Sequence, residues 1–456
     1  MADTIAAIAT GNQLAAIGII RLSGDDCIEI IRRVFRPFSG VDMRDVPDRK
    51  LIYGNLLDEK GRVLDICLCT VSRGPHSYTG EDTAELHCHG SPVVLRAGME
   101  ALFAAGARQA KAGEFTKRAF LNGRLDLTQA EAVIDLINAE TAEAARNAAG
   151  QLGGAIFRKI DGIYSSLVDI TSHYHAVLDY PDEDIEPFEL ENYAGTLKDA
   201  RDELKKLLDS FERGRIMQHG IKAAIVGRPN AGKSSLLNAL LGYERAIVTN
   251  IPGTTRDTIE ERIRLGGVLL RLADTAGLHE TEDPVERIGV DRAKSAARES
   301  ELVLAVFDGS EPLTDEDGEA IEAAKEARRS IAVINKCDLP QRLDSRLLEE
   351  NFEVICRVSA LDRTGLDQLD RAVADMFHDS EAPPVGEILT NSRQADAVGR
   401  ALASIEGAIA AMEQGYTPDA VLTEAENAMS ALGELTGKTL REDVTSRIFE
   451  RFCVGK

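Results

Sequence analysis

One glycine-rich segment has the residue types and the spacing of a phosphate-binding loop. Gly227, Gly232, Lys233 and Ser234 form the pattern G-x-x-x-x-G-K-S, after the apolar stretch 221–226 and before a helical sequence. The backbone N–H groups of such a loop can surround a phosphate, while the lysine neutralises phosphate oxygens and the serine hydroxyl binds Mg²⁺. A chance glycine-rich turn lacks this strand–helix context. The segment therefore predicts a nucleoside triphosphate site.

Three further motifs follow in order, each after an apolar, strand-like stretch: DTAG at 274–277, NKCD at 335–338 and SAL at 359–361. Asp274 and Gly277 could hold a magnesium-bound water and sense the γ-phosphate. Asp338, in the sequence NKCD, offers a carboxylate to the paired N1–H and N2–H donors of guanine, which adenine lacks. This predicts GTP rather than ATP. The predicted GTP-binding residues are Asn230, Ala231, Gly232, Lys233, Ser234, Ser235, Thr249, Asn250, Ile251, Pro252, Gly253, Thr254, Thr255, Asp274, Thr275, Ala276, Gly277, Asn335, Lys336, Asp338, Ser359, Ala360 and Leu361.

The polar loop 246–257 lies between the first two motifs, where GTPases place a switch that orders around magnesium and the γ-phosphate. Leu278 follows Gly277, so the water-positioning glutamine that Ras-like enzymes carry there is absent. We therefore expect another group to orient the attacking water. An arginine or a cation must also offset the charge that develops during hydrolysis.

The elements that position these residues divide the chain into regions. Strand–helix alternation from 221 to about 378 predicts a doubly wound α/β unit. Before residue 121, apolar or alternating stretches at 16–24, 63–72 and 84–90 predict strands of an α+β domain. The remaining stretches have helical periodicity, and Thr128 with Glu131 suggests a capping box at the start of a helix.

These regions predict a multidomain α/β protein. It has an α+β N-terminal domain at 1–121 and a discontinuous helical domain at 122–219 and 380–456. A doubly wound P-loop GTPase domain at 220–379 interrupts the helical domain, as an insert whose ends lie close together can do.

Composition limits the classes of protein that need be considered. A formal charge of −23 over 456 residues argues against a broad basic surface for nucleic acid, although a local basic patch could bind RNA. Seven scattered cysteines without a regular framework are typical of a reducing compartment. We read no signal peptide and no spanning helix in the sequence. A soluble cytoplasmic protein with no membrane contact is expected.

Cysteines and histidines on two strand-like stretches could be assembled into a metal site on paper. They are Cys67, Cys69, His87, Cys88 and His89. The spacing C-x-C with H-C-H fits no common zinc pattern, and strand alternation places Cys88 on the opposite face from the two histidines. Core packing is therefore the expected role of these cysteines.

With these motifs in place, the chain resembles the MnmE (TrmE) family of tRNA-modification GTPases over nearly all its length. Outside the nucleotide motifs, the resemblance rests on GIIRLSG, SYTGEDTAELHCHG, GEFTKRAFLNGRLDLTQAEAVIDLI, VERIG and the terminal FCVGK. It implies a homodimer that forms a heterotetramer with the flavoprotein MnmG and acts on tRNA. Together they add a carboxymethylaminomethyl or aminomethyl group at C5 of the wobble uridine of certain tRNAs.

The resemblance also implies roles for particular residues of the GTPase region. The positions that match magnesium ligands are Ser234 and Thr255, and those that match potassium ligands are Asn230, Thr249, Ile251 and Thr254. A potassium ion near the phosphates could replace the missing arginine. Glu286, within VERIG, matches the glutamate that orients water; without the resemblance it would be a solvated helix charge.

The N-terminal domain is implied to bind tetrahydrofolate, as its 5-formyl or methylene form, which supplies the one-carbon unit. The matching positions are Arg21, Glu85, Arg124 and Lys456. Cationic side chains suit the carboxylate-bearing tail of a folate, and a carboxylate suits the donor edge of the pterin. Cys453 matches the terminal cysteine associated with modification activity, and we assign it a catalytic role.

An alternative function stays open. A ribosome-assembly or stress-related GTPase could use the helices as a scaffold and have no modification activity. Folate binding and the modified nucleosides of tRNA separate the two functions.

Overall fold

The computed structural model describes residues 3–11, 13–180, 186–243, 261–272, 297–377 and 384–437, together with positions 449, 452, 454 and 455. The chain forms two compact units. The first contains residues 1–134, 151–193 and 407–456, and the second contains residues 135–150 and 194–406. The domain boundaries predicted from the sequence stay predictions.

A seven-stranded sheet in the order β3-β4-β5-β6-β2-β1-β7 forms the centre of the first unit. Its neighbouring strands are antiparallel, except for the parallel pair β1–β7. The strands are β1 (Ile5–Ile8), β2 (Ile17–Ser23), β3 (Phe35–Pro37), β4 (Ile52–Leu57), β5 (Val63–Ser72), β6 (Thr83–His89) and β7 (Arg108–Gln109). The strands predicted at 16–24, 63–72 and 84–90 are confirmed as β2, β5 and β6.

Alternation along these strands separates a buried face from a half-exposed one. In β6, Leu86 and Cys88 are buried, whereas Glu85 and His87 are half-buried on the other face. Because successive strand residues point to opposite faces, one face packs on a core and the other stays open for polar side chains. The core is shared with helices Cys27–Val34 and Pro92–Ala104.

The remaining helices of the first unit surround this sheet or pair with one another. Helix Ala155–Asp179 packs along helix Pro418–Thr436, where the Thr171 hydroxyl contacts the sulfur of Met429 at 4.0 Å. A short helix at Glu114–Leu121 and a 3₁₀ turn at Leu190–Tyr193 complete the unit. The division between the two units falls within helices Leu127–Asn138, Ala142–Leu152 and Ser392–Glu413.

The predicted capping box of Thr128 and Glu131 is wrong. The helix already begins at Leu127, and Oδ1 of Asp126 accepts the N–H groups of Thr128 at 2.8 Å and Gln129 at 3.0 Å. Gln129 Oε1 in turn accepts the Asp126 N–H at 3.0 Å. Aspartate caps a helix as well as threonine does, so the earlier carboxylate takes the position and the Thr128 hydroxyl donates to it.

A six-stranded sheet in the order β13-β12-β11-β8-β10-β9 forms the centre of the second unit. Every neighbouring pair is parallel except the antiparallel edge pair β9–β10. The strands are β8 (Ile221–Val226), β9 (Glu261–Leu265), β10 (Val268–Leu272), β11 (Leu302–Asp308), β12 (Ser330–Asn335) and β13 (Ile355–Arg357). The strand predicted at 221–226 coincides with β8.

Helices cover both faces of this sheet. Every residue of β11 is buried, and its alternate side chains enter two different cores. Helices Lys233–Tyr243 and Leu366–Phe377 contribute to one core, and helices Asp315–Lys325 and Arg346–Asn351 to the other. The unit also contains helices Ala194–Asp209 and Phe211–His219. Buried parallel strands between helical layers confirm the doubly wound α/β prediction.

None of the helices that the structure describes has the length and apolarity needed to cross a bilayer.

Candidate functional site

The phosphate-binding motif forms a tight loop between the end of β8 at Val226 and the helix that begins at Lys233. Gly227 has φ 152°, and a Cβ atom there would lie 2.4 Å from the Val306 carbonyl oxygen. Gly232 has φ 96°, and a Cβ atom there would lie 2.1 Å from Nδ2 of Asn335. Both positions require glycine, because neither the conformation nor the space admits a side chain. The loop therefore has the compact backbone that surrounds a phosphate.

Lys233 closes this loop through hydrogen bonds to the loop backbone. Its Nζ donates to the carbonyl oxygens of Gly227 at 2.8 Å and Arg228 at 2.9 Å. Burial lowers the pKa of Lys233, since the charged amine has lost solvent. A phosphate oxygen would give this cation a stronger partner than two neutral carbonyl groups. Ser234, in the first helical turn, places a hydroxyl next to it.

Asn335 connects the phosphate loop to the loop after β13. Its Nδ2 donates to the Ala231 carbonyl oxygen at 3.1 Å, and its Oδ1 accepts the Ala360 N–H at 3.0 Å. The side chain is buried, at 2% exposure. Sequence reasoning placed Asn335, Ala231 and Ala360 in one GTP site, and the structure brings these three residues together.

The residues predicted to read guanine lie next to this connection. Asp338 is exposed in the loop that follows β12, and Leu361 is 82% exposed. Ser359 is buried, and its Oγ accepts the Asp362 N–H at 3.1 Å, which shapes the loop between them. An exposed carboxylate beside an ordered loop is accessible to the edge of a purine base.

Asp308 was not predicted from the sequence, and it holds Lys336 of the guanine motif through an ion pair. Lys336 has φ 61°, and its Nζ lies 2.6 Å from Oδ2 of Asp308 at the end of β11. Burial would raise the pKa of Asp308, but hydrogen bonds from Lys336 and Ser310 outweigh it and lower that pKa. The signal available in the sequence was an aspartate at the end of the apolar strand LVLAVFD, beside the end of β12.

Several predicted site residues lie outside the residues that the structure describes. In the GTPase region these are positions 249–255 and 274–277 together with Glu286, and near the C-terminus they are Cys453 and Lys456. The structure describes the other predicted GTP-site residues in three segments that Asn335 joins: the phosphate loop with the first turn of its helix, the loop after β12, and the loop after β13. They are Asn230, Ala231, Gly232, Lys233, Ser234, Ser235, Asn335, Lys336, Asp338, Ser359, Ala360 and Leu361.

Arg21 and Glu85 form an ion pair across two adjacent strands of the first unit. They occupy facing positions of β2 and β6, and Nε of Arg21 lies 2.8 Å from Oε1 of Glu85. The guanidinium lies 6.0 Å from the ring centre of Tyr78 and 5.9 Å from that of Phe115. Glu85 also lies 3.3 Å from Nε2 of His87. Half-exposed charges beside aromatic rings can bind a flat, polar heterocycle.

Arg124 lies beside the loop that carries Tyr78. Gly80 has φ 81°, and a Cβ atom there would lie 3.3 Å from Cγ of Arg124. Asn122 donates from Nδ2 to the Thr79 carbonyl oxygen at 2.7 Å, which holds this loop in place. The exposed Arg124 and the half-buried Arg21 therefore flank the same loop.

The described C-terminal residues contact the N-terminal part of the same unit. Val454 forms an isolated antiparallel bridge with Ala112, and a Cβ atom on Gly455 would lie 2.6 Å from the Ile8 carbonyl oxygen. Phe449 and Phe452 pack close to Gly113. These contacts join the described residues Phe452, Val454 and Gly455 to the unit that holds Arg21 and Glu85.

The cysteines of β5 and β6 are buried in the core of the first unit. Cys67, Cys69 and Cys88 are 4%, 0% and 2% exposed. His87 faces Glu85 on the opposite face of β6, as strand alternation predicts.

Known proteins resemble the chain over its full length. Two family models match: "GTP-binding protein TrmE N-terminus" over residues 4–124 and "MnmE helical domain" over residues 127–453. The "tRNA modification GTPase MnmE" of Thermoanaerobacter pseudethanolicus is 43% identical over 458 residues, covering 100% of this chain and 99% of that protein. The proteins of the same name from Geobacillus kaustophilus and Clostridioides difficile are 42% and 41% identical, with the same coverage.

Proposed function

The chain belongs to the MnmE family of tRNA modification GTPases, and from this we propose that potassium-stimulated GTP hydrolysis drives its modification of the wobble uridine in certain tRNAs. It is a GTP hydrolase that acts in tRNA modification, and it binds GTP with Mg²⁺. The group added at C5 is carboxymethylaminomethyl or aminomethyl, and the flavoprotein MnmG is the partner. The observation that carries the proposal is the full-length similarity to MnmE proteins, joined to the convergence of two GTP motifs on Asn335.

The GTP site is assigned to the loops that Asn335 connects. Lys233 exchanges its two carbonyl partners for β- and γ-phosphate oxygens, and Asp338 accepts the N1–H and N2–H donors of guanine. The tight turns at Gly227 and Gly232 give the loop the backbone of a phosphate-binding loop, and the Ser234 hydroxyl follows Lys233 directly, so these residues fit Mg²⁺. Ser234 and Thr255 would hold that ion, which neutralises phosphate charge when bound.

Potassium replaces the arginine that other GTPases use. The proposed ligands are oxygen atoms of Asn230, Thr249, Ile251 and Thr254. Asn230 has φ 61° at the exposed tip of the phosphate loop, so its side-chain oxygen can reach a cation beside the phosphates. Glu286 orients the attacking water in place of the missing glutamine. Of these five residues, the structure describes Asn230 alone.

The first unit binds the tetrahydrofolate that supplies the one-carbon group. Glu85 accepts hydrogen bonds from the donor edge of the pterin, while Arg21 orients Glu85 through their 2.8 Å ion pair. Arg124 and Lys456 bind the carboxylates of the folate tail. Cys453 takes part in the modification chemistry, and its neighbour Val454 pairs with Ala112 of the same unit.

The nucleotide acts as a conformational drive in a homodimer that binds MnmG in a heterotetramer in the cytoplasm. GTP and potassium draw the two GTPase domains together, order residues 249–255 and place Glu286, and hydrolysis releases them. X-ray scattering with a GTP transition-state analogue tests this step. Compaction in potassium but not in sodium is expected. Equal scattering profiles in the two salts would contradict the proposal that the nucleotide drives this conformational change.

Nucleoside mass spectrometry of tRNA from a deletion strain tests the function as a whole. Loss of the modified wobble uridine, restored by the wild-type gene and not by a Glu286→Gln copy, is expected. Unchanged nucleosides, with altered ribosome profiles, would favour the alternative of a ribosome-assembly or stress-related GTPase.

A further inference from the structure

A cluster of one carboxylate and two thiols lies where the first half of β5 meets the end of β6, apart from the Arg21–Glu85 pair. Asp65 and Cys67 belong to β5, and Cys88 belongs to β6. One carboxylate oxygen and the two sulfur atoms all lie within 4.8 Å of one another. Leu68 pairs with His87 in this ladder, so the next positions along the same register bring Cys67 and Cys88 face to face. Among the residues that the structure describes, this is the one cluster of three such ligand groups.

The cluster is buried, and a buried site is an unusual environment for a carboxylate. Cys67 and Cys88 are 4% and 2% exposed, and the Asp65 side chain is 9% exposed. A carboxylate at such a position costs free energy unless partners compensate for the lost water. Asp65 accepts the His89 N–H at 2.8 Å, and its other oxygen lies 2.7 Å from Nδ1 of His89. A histidine therefore stands beside the cluster, with its ring 75% exposed at the surface.

The donor set has the chemistry of a zinc site. Zinc binds thiolates at about 2.3 Å and nitrogen or carboxylate donors at about 2.0–2.2 Å, so donors around one tetrahedral ion lie roughly 3.5–4 Å apart. The three donor atoms, all within 4.8 Å of one another, lie close to that spacing. Thiolates disfavour magnesium and calcium, which prefer oxygen donors. The His89 ring, 75% exposed and 2.7 Å from Asp65 through its Nδ1, offers a nitrogen donor beside these three groups.

We propose that Asp65, Cys67 and Cys88 bind one Zn²⁺ ion, with His89 as the fourth ligand. Each thiol gives its proton to solvent as its sulfur–zinc bond forms, so binding releases two protons and involves no oxidation. The ion joins β5 to β6 near the end of the strand that carries Glu85 on its other face. The competing role of the two cysteines is packing in the apolar core, where Cys69 and Cys27 also lie.

Cobalt binding to the full-length, nucleotide-free protein tests the proposal, with Cys453→Ala in every variant so that the terminal thiol binds none. We expect one Co²⁺ per chain with a sulfur-to-cobalt charge-transfer band and the d–d absorption of a four-coordinate ion, both displaced by Zn²⁺. Cobalt bound at the GTP site has oxygen ligands and gives no such band. Cys67→Ala and Cys88→Ala should abolish the band, and the matched control Cys69→Ala should retain it.

Variants at Asp65 and His89, the two less buried members of the proposed site, keep the test decisive if substitution of a buried cysteine prevents folding. Asp65→Asn and His89→Ala leave both sulfur atoms in place, so the charge-transfer band should remain. Metal affinity should fall by about 10–100-fold and the d–d bands should shift. Absence of the band in the parent protein, its persistence in Cys67→Ala, or its equal loss in Cys69→Ala would overturn the proposal. Unchanged d–d bands in His89→Ala would show that His89 is not the fourth ligand.

Discussion

Asn335 donates a hydrogen bond from its buried side chain to the Ala231 carbonyl oxygen at 3.1 Å. A residue of the guanine motif thus holds the phosphate loop in place. Its other atom, Oδ1, accepts the Ala360 N–H at 3.0 Å, so one side chain fixes the relative position of both halves of the nucleotide site.

Asn335→Ala should therefore weaken both folding and GTP binding. The substitution leaves a buried carbonyl and a buried N–H without partners, which should cost about 2 kcal/mol or more of unfolding free energy. GTP affinity should fall at least about tenfold, because the loops lose their shared support. Urea unfolding and calorimetric GTP titration measure the two effects.

Asn351→Ala is the matched control, since that amide donates to the Leu347 carbonyl oxygen on a short surface helix. It should leave GTP affinity unchanged. Asn335→Asp keeps the acceptor for Ala360 but sets a buried carboxylate oxygen against the Ala231 carbonyl oxygen, so it should be at least as damaging as Asn335→Ala. Wild-type GTP affinity in Asn335→Ala would refute the supporting role.

The sequence predicts which residues enter the GTP site but not how they support one another. The strand at 221–226 and the motifs after it depend on local patterns of residues, which can be recognised in the sequence itself. The hydrogen bonds of Asn335 join residues separated by 104 and 25 positions, so they depend on the order of strands in the sheet. The ion pair of Asp308 and Lys336 was missed for the same reason.

Competition between neighbouring residues explains the error at the start of helix Leu127–Asn138. Asp126, Thr128, Gln129 and Glu131 supply two overlapping capping patterns, and local sequence does not decide between them. In the structure Asp126 is the cap, and Glu131 is buried at 3% exposure. In the N-terminal unit, strand alternation correctly placed Glu85 and Cys88 on opposite faces. It gave no sign that Asp65 lies beside Cys67 and Cys88, because that proximity depends on the register between β5 and β6.

Asp338→Asn should change the preferred base. The carboxylate accepts two donors of guanine, whereas the amide pairs an acceptor with a donor and so suits xanthine, which carries a carbonyl at C2. GTP affinity should fall by about 100-fold, with XTP bound more tightly than GTP. Competition of unlabelled GTP and XTP against a fluorescent guanine nucleotide measures the preference. Asp344→Asn, on an exposed loop nearby, should keep the wild-type preference. A variant that still prefers GTP would contradict the assigned role of Asp338.

The Asp308–Lys336 pair should make stability depend on pH in the acidic range. The pKa of Asp308 is lowered in the folded protein, so its contribution is present above the unfolded pKa of about 3.9 and is lost as pH falls through the lower folded pKa. Asp308→Asn should therefore destabilise the protein at pH 7, and its difference from the wild type should shrink below about pH 4. Urea midpoints at several pH values measure this difference.

Asp375→Asn is the control for that series, because this exposed aspartate lies on a helix surface of the same unit. Its difference from the wild type should be small at every pH. If the gap between Asp308→Asn and the wild type stays constant from pH 7 to about pH 3, the depressed pKa of Asp308 contributes nothing to stability.

Asn230→Ala should remove the stimulation of GTP hydrolysis by potassium. The variant loses the side-chain oxygen proposed as a ligand, and charge stabilisation of this kind is worth about 10²–10³ in rate. Asn230→Asp keeps an oxygen donor and tolerates φ 61°, so it should retain most of the stimulation. Steady-state GTP hydrolysis at saturating nucleotide in matched potassium and sodium buffers measures the ratio. Equal ratios in Asn230→Ala and the wild type would exclude this ligand.

Glu85→Gln should weaken folate binding more than the loss of a single surface charge would. The amide offers one acceptor oxygen where the carboxylate offers two, and it removes the negative charge that pairs with the Arg21 guanidinium, 23% exposed, at 2.8 Å. A charged hydrogen bond is worth about 1.5–3 kcal/mol, so the Kd for 5-formyl-tetrahydrofolate should rise by about tenfold or more.

Arg21→Gln should also weaken folate binding. The double variant should lose less affinity than the sum of the two single losses, because both substitutions remove the same ion pair. Arg36→Gln, at the exposed position of strand β3, should bind like the wild type in calorimetric titrations of the full-length protein. Additive losses in the double variant would mean that Arg21 and Glu85 contact the ligand independently and that their pairing does not orient Glu85.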